Sequence, residues 1–344
     1  MGSVPMGHKR ISFHIVQTTR SGDRSASRTS VEEASDQGPS PWTTADSAIF
    51  QLRWSCVWRR AVSTSANIED GADAAFVASP PPFGAGVADL YQALLVPILF
   101  EPYALEMAIV AERSKPVSVL EVAAGTGALT RALRAKLDPA AEIVATDLSQ
   151  AMIDVGAPSV TMSRTHWMHA DAQDLPFAPL MFDLVVCQFG VMFFPDKPKA
   201  YHEAKRVLRS GGRLLFSTWD SLAANDFARC VDECLTGLFP SDPPDFLGRL
   251  PYSYFDPSLI KAEVSSAGFK AVSCERLELA SIAATSQDVA TAFCRGTPLS
   301  GEIEWRAPER MSEIVDEVAE RVASRYGARP CGSMSALVVS GRAP

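Results

Sequence analysis

Residues 119–130, Val-Leu-Glu-Val-Ala-Ala-Gly-Thr-Gly-Ala-Leu-Thr, constrain the fold more than any other stretch. The β-branched and apolar run from Val117 to Val122 predicts a strand buried on both faces, the pattern of a parallel sheet. Gly125 and Gly127 permit backbone angles and a close approach that a Cβ would obstruct. A strand, a small-residue turn and a helix in that order bring the main chain itself against a ligand at a helix N-terminus. The unit then recurs. Glu142 to Thr146 predicts a second strand ending at Asp147, a short third strand precedes His169-Ala170-Asp171-Ala172, and Phe182 to Cys187 predicts a fourth. Strands alternating with helices make a doubly wound α/β sheet, whose ligand belongs at the carboxyl edge.

With Glu121, Asp147 and Asp171 each near a strand's carboxyl end, the sequence resembles the class I S-adenosylmethionine-dependent methyltransferases, in particular the broad small-molecule group that includes quinone-biosynthesis methyltransferases. The resemblance covers roughly residues 91–342. It implies a Rossmann-like seven-stranded sheet, mostly parallel with an antiparallel last strand, helices on both faces and helical lid insertions. It also implies S-adenosyl-L-methionine as cofactor. Glu121 and the turn Ala123 to Gly127, including Gly125 and Thr126, would seat the methionine moiety, and Asp147 the ribose. Asp171 would accept from the adenine amino group and the Ala172 amide would donate to a ring nitrogen, with Leu148 and Met152 flanking the adenine. Gln188 would face methyl donor and acceptor. Arg206-Val207-Leu208-Arg209-Ser210-Gly211-Gly212-Arg213 resembles the family's helix end, glycine turn and fifth strand. Two departures stand out: Ala123 where glycine is common, and Ser210 where proline is common.

A nicotinamide dehydrogenase would also use Gly125, Gly127 and Asp147, but it expects glycine or alanine where Thr130 stands and has no use for Glu121 or the Asp171-Ala172 pair. A third alternative is a protein that binds the adenosyl cofactor without turnover. A formal net charge of −8, with no Lys/Arg block in the catalytic region, argues against a nucleic-acid partner and for a small-molecule methyl acceptor. The seven cysteines are scattered, which suits a reducing compartment, and Cys230 and Cys234, one helical turn apart, read as core residues; no metal is expected. The oligomeric state is left open.

The chain's organisation follows from composition. Residues 1–82 are rich in Ser, Thr and Arg and close on Ser79-Pro80-Pro81-Pro82, which predicts a disordered extension; Phe50, Trp54 and Trp58 within it are candidate docking aromatics. Residues 83–344 form the catalytic domain, with a cofactor core at about 117–220 and substrate-lid insertions at about 221–256 and 281–326. The chain is expected to be cytoplasmic, or mitochondrial if the basic, Ser-rich residues 1–30 are a transit peptide. No membrane span is expected, because Ala93 to Phe100 is broken by Pro97 and ended by Glu101. Two helices are predicted instead, one with Leu90, Tyr91, Leu94, Leu95, Ile98 and Leu99 on its apolar face and a second from about Tyr103 to Arg113.

Further along, Asp256-Pro257 predicts a helix start and Gly268 its end. Ala271 to Leu279 reads as strand six and Ser335 to Ser340 as strand seven. Met311, Ile314, Val315, Val318 and Val322 form one packing stripe. Methyl transfer is an in-line displacement, so alignment and exclusion of water matter more than a strong base. His169 is the foremost candidate base and Gln188 the positioning residue, with Phe189 or Phe193 shaping an apolar pocket. Tyr252 to Phe255 would wall the acceptor, and Arg295 is either a substrate contact or part of a plain connection.

Overall fold

The computed structural model describes residues 85–159 and 164–344. The extension 1–82, with its docking aromatics and transit-peptide alternative, lies outside the described residues. A seven-stranded sheet organises the rest, in the order β3-β2-β1-β4-β5-β7-β6. β1 (Ser118–Val122), β2 (Glu142–Asp147), β3 (Thr165–His169), β4 (Phe182–Gln188) and β5 (Leu208–Trp219) run parallel. β6 (Lys270–Ile282) and β7 (Cys331–Arg342) complete it, with β7 antiparallel to both β5 and β6. Gly211 and Gly212 sit in a bulge of β5, between its pairings of Leu208 with Phe182 and Arg213 with Leu184. Strands six and seven are longer than the sequence pattern suggests, because pairing with each other along their whole length supports residues whose own alternation is weak.

Alternation of side chains sorts the helices between the faces. Leu215 joins Val119, Ile143 and Leu184 in a core closed by Met107, Ala108 and Ala111 of one helix and Leu129 and Leu133 of the next. Phe216 points the other way and meets Tyr201 at 5.7 Å between ring centroids. Helices therefore cover both faces. The helix Pro257–Ser266 is capped as its sequence requires: Asp256 accepts from the Ser258 amide at 2.7 Å, and Gly268 follows at φ 98°. The stripe Met311, Ile314, Val315, Val318 and Val322 is buried in the helix Met311–Tyr326. Arg295 ends the helix Ser286–Arg295, and its guanidinium donates to the Ser312 hydroxyl of the helix Met311–Tyr326 at 2.9 Å.

The N-terminal part corrects the expectation of two helices. Ala85–Leu90 (α1) passes without a break through a π-helical segment, Tyr91–Phe100, into Glu101–Glu112 (α2). A widened turn accommodates Pro97, because the bonding shifts to i−5: the Glu101 amide donates to the Val96 carbonyl. Pro102 has no N–H to offer the Ile98 carbonyl four residues upstream, and the Ser281 hydroxyl of β6 donates to it at 3.0 Å instead. The stretch Gly86–Glu112 is thereby 27 residues long, and its most apolar 18-residue window has a mean hydropathy of 1.7, enough by length and composition to cross a membrane, although half of that window is buried in the protein. Leu95, Val96, Ile98 and Leu99 face inward, and the Tyr103 hydroxyl donates to the carbonyls of Leu277 and Met334.

Candidate functional site

The carboxyl edge of β3-β2-β1-β4 lines up the predicted residues in one row. Asp171 follows β3, Asp147 ends β2, Glu121 lies in β1 and Gln188 ends β4. With strands about 4.8 Å apart, the row spans roughly 14 Å, the length of an extended nucleoside with an amino-acid arm.

The turn after β1 is held in left-handed backbone. Ala123, Gly125 and Gly127 have φ of 54°, 56° and 82° before the helix Ala128–Lys136 (α3). A Cβ on Gly127 would stand 2.9 Å from the Trp167 ring, so glycine is required there by contact as well as by conformation. Ala123 takes the glycine-like angle at a cost of about 1 to 2 kcal/mol. It is accommodated because Gly190 opposite has no Cβ; one there would fall 2.5 Å from the Ala123 Cβ.

Asp147 fixes this turn to β2. Its Oδ2 accepts from the Gly125 amide at 2.7 Å and its Oδ1 from the Ser149 amide at 2.8 Å. Burial pushes the carboxyl up, while those amides and His169 pull it back. Leu148 beside it is 64 % exposed, an apolar side chain facing outward next to a carboxylate, and Met152 is buried beneath. Asp171 accepts from the Gln173 amide at 2.8 Å and from its side chain, and Gln173 in turn accepts from the Asp196 amide. Ala172 is buried.

Glu121 is only 1 % exposed, and burial pushes its carboxyl up to about 8 against the opposing pull of Thr130 and Arg131. Its Oε2 has no hydrogen-bond partner, nor have the Thr126 Oγ1 and the Gln188 Oε1. All three residues line one cavity of about 20 Å³, closed by Tyr91 and Phe100 of the π-helical segment. That space admits about one water-sized group. Unpaired buried acceptors are uncommon. Three around one small cavity form a cradle for a compact donor with several N–H groups, and an ammonium fits that description.

The π-helical segment is tied down at this cavity. Gln188 Nε2 donates to the Phe100 carbonyl at 2.9 Å, and Phe100 stacks on Tyr91 at 4.8 Å. The Tyr91 hydroxyl lies 3.9 Å from where a Gly125 Cβ would be. Behind Phe100 stands an aromatic wall. Phe189 stacks on Trp219 at 3.8 Å, Tyr103 meets both edge-on at 5.2 and 5.5 Å, and Tyr252 approaches Trp219 at 5.7 Å.

The structure brings Glu121, Ala123, Thr126 and Gln188 to one cavity, with Gly125 and Gly127 in the same turn, and places Asp147, Leu148, Met152, Asp171 and Ala172 along the same edge. It does not bring His169 to Gln188: three strand spacings separate them, and His169 Nε2 is bonded to the Leu148 carbonyl at 2.8 Å. Of the predicted acceptor wall, Tyr252 reaches Trp219, whereas Tyr254 turns away to Tyr201 and Glu263. Phe100, Tyr103, Trp219 and Ser281 were missed. Trp219 was findable, since it lies on the face of β5 shared with Ser217, the register partner of Gln188.

Residues 120–216 match the family model described as a methyltransferase domain. The ubiquinone/menaquinone biosynthesis C-methyltransferase of Idiomarina loihiensis is 26% identical over 174 residues, 47% of this chain and 69% of that protein. Its counterpart in Pseudomonas aeruginosa is 30% identical over 167 residues, 45% and 65% of the two chains. The demethylmenaquinone methyltransferase of Clavibacter sepedonicus is 30% identical over 164 residues, again 45% of this chain and 66% of that one. The matched stretch thus spans about two thirds of the length of these curated relatives. Among solved structures, the YcgJ protein of Bacillus subtilis aligns with a TM-score of 0.47 at 18% identity, over 70% of this chain and 98% of that one.

Proposed function

We propose, for a chain that belongs to the class I S-adenosylmethionine-dependent methyltransferases, that this sheet edge binds S-adenosylmethionine and directs its methyl group to a small, planar, largely apolar organic acceptor. The observation that supports it best is the trio of unpaired acceptors, Glu121 Oε2, Thr126 Oγ1 and Gln188 Oε1, at the end of a row that begins with Asp171 and Asp147. When bound, the cofactor supplies a methyl group on a sulfonium, which an aligned nucleophile can take without metal or redox help.

The residues present divide the remaining work. Asp171 and Ala172 hold the adenine edge, with Leu148 and Met152 against its faces. Asp147 accepts from the ribose hydroxyls while keeping the Gly125 amide in place. Glu121, Thr126 and Gln188 accept from the ammonium of the methionine arm. The π-helical segment with Tyr91 and Phe100 keeps water from the reacting atoms, where alignment counts for most.

The acceptor class follows from the wall of Phe100, Phe189, Trp219 and Tyr252, whose flat faces suit a ring. The relatives are named as C-methyltransferases of ubiquinone and menaquinone biosynthesis, and a ring carbon of a quinol-like acceptor accords with this wall. No histidine is among the residues lining the cavity beside Gln188. A phenolate-activated ring carbon, which already carries its electron pair, matches that lining.

Calorimetric titration of the full chain with S-adenosylmethionine, S-adenosylhomocysteine and NADH tests the cofactor. Binding of the two sulfur ligands alone is expected, and binding of NADH alone would sink the proposal. Methyl transfer is then assayed with quinols, catechols and simple amines. Transfer to quinols is expected; transfer to amines only would overturn the acceptor class, and binding without transfer to any acceptor would favour a non-catalytic binder.

A further inference from the structure

We propose that uptake of the cofactor's ammonium end expels a proton from Glu121, so that cofactor affinity is coupled to pH through one buried carboxyl. The inference rests on the reading of the site given above and adds to it a proton that the chemistry of methyl transfer does not require.

The geometry is that of a carboxyl with nowhere to place a negative charge. Glu121 lies within β1 between β2 and β4, almost fully buried, and no salt bridge to it exists among the described residues. The groups facing it come from every neighbouring element. From α3, Thr130 and the Arg131 guanidinium pull towards the ionised form, but Arg131 Nη1 is committed to the Thr126 carbonyl at 2.8 Å and the Ser159 hydroxyl at 3.1 Å. From β2, Asp147 opposes ionisation. From β4, the Cys187 thiol is itself pushed up to about 12 by burial and stays neutral. From the π-helical segment, Tyr91 is likewise held neutral by burial and by Asp147. Burial dominates, and it pushes Glu121 up to about 8.

An ammonium placed among Glu121 Oε2, Thr126 Oγ1 and Gln188 Oε1 finds one acceptor for each of its three N–H groups. Its positive charge favours the ionised carboxylate over the neutral acid, because a charge-assisted pair in a buried site is much stronger than a bond to an uncharged oxygen. The exchange balances: a neutral carboxylic acid and a ligand ammonium give a carboxylate–ammonium pair and one proton released to solvent. Because binding releases a proton, affinity rises with pH while the free carboxyl is still protonated, by up to tenfold per unit. It stops rising near pH 8, where the free carboxyl itself ionises.

The test is calorimetric titration of the full chain with S-adenosylhomocysteine at pH 6.5 in phosphate and in Tris, whose different ionisation enthalpies reveal the number of protons exchanged. Methylthioadenosine, which keeps the nucleoside and lacks the amino-acid arm, is titrated in parallel. Release of close to one proton with S-adenosylhomocysteine and none with methylthioadenosine is expected. Glu121→Gln should abolish the release and flatten the rise in affinity between pH 6 and 7.5. Equal proton counts for the two ligands would overturn the coupling while leaving the cofactor site intact. Failure of both ligands to bind would overturn the site itself. The comparison of ligands needs no variant, so it decides the matter even if Glu121→Gln folds poorly.

Discussion

Ala123 and Gly190 share one small volume, which the Ala123 Cβ can occupy only because Gly190 has none. A methyl group on Gly190 would meet the Ala123 Cβ at 2.5 Å and the Cys187 Sγ at 2.7 Å. Gly190→Ala should therefore destabilise the protein by about 1 to 3 kcal/mol, the usual range for overpacking. Adding Ala123→Gly removes one of the two clashes and the left-handed strain, so the double variant should recover part of the loss in chemical denaturation; strictly additive effects would disprove the coupling. The acids at the strand ends should separate in the same way. Asp171→Ala should weaken S-adenosylhomocysteine binding by about 1 to 3 kcal/mol with little change in melting temperature. Asp147→Ala should weaken it comparably and also lower the melting temperature, since Asp147 accepts from both the Gly125 and the Ser149 amides. Unchanged affinity in both would remove them from the site. These residues were legible because their roles are local: Gly125, Gly127 and Asp147 lie within one strand–turn–helix–strand unit. The bond from Gln188 to the Phe100 carbonyl joins residues 88 positions apart, and no local pattern announces it.

Among the elements, the helix over the site is the one the sequence misstates. Pro97 and Pro102 read as breaks because each removes a backbone donor. The fold answers with a π-helical register for the first and, for the second, with Ser281, 183 residues from the Ile98 carbonyl to which it donates. By contrast, the helix from Pro257 was legible because Asp256 and Gly268 cap it with their own atoms. Ser281→Ala leaves the buried Ile98 carbonyl without its donor, which should cost about 1 to 3 kcal/mol. Amide exchange should quicken selectively in residues 91–103, and uniform acceleration throughout the sheet would contradict the local role of this bond.

For the molecule as a whole, one buried carboxyl should leave a mark on the pH dependence of stability. Glu121 has a folded value near 8 against about 4.3 in an unfolded chain, so its contribution is fully present below the lower value and is lost as pH rises towards the upper one. Without ligand, Glu121→Gln should match the wild type near pH 4 and exceed it by an amount on the order of a few kcal/mol near pH 8.5. A constant difference across that range would show that the carboxyl is not strained by burial.

The position of β7 between β5 and β6 bears on how the chain comes into being during translation. The apolar helix ending at Glu112 leaves the ribosome long before the strand beginning at Cys331, to whose Met334 carbonyl Tyr103 is bonded. At ordinary rates of synthesis the interval is roughly 10 to 40 s, during which a 27-residue helix containing a window of membrane-like hydropathy has only part of its resting place. A nascent chain of this design depends on chaperones or on speed, and codons that slow elongation between residues 113 and 331 should lower its soluble yield more than the same codons placed after Arg342.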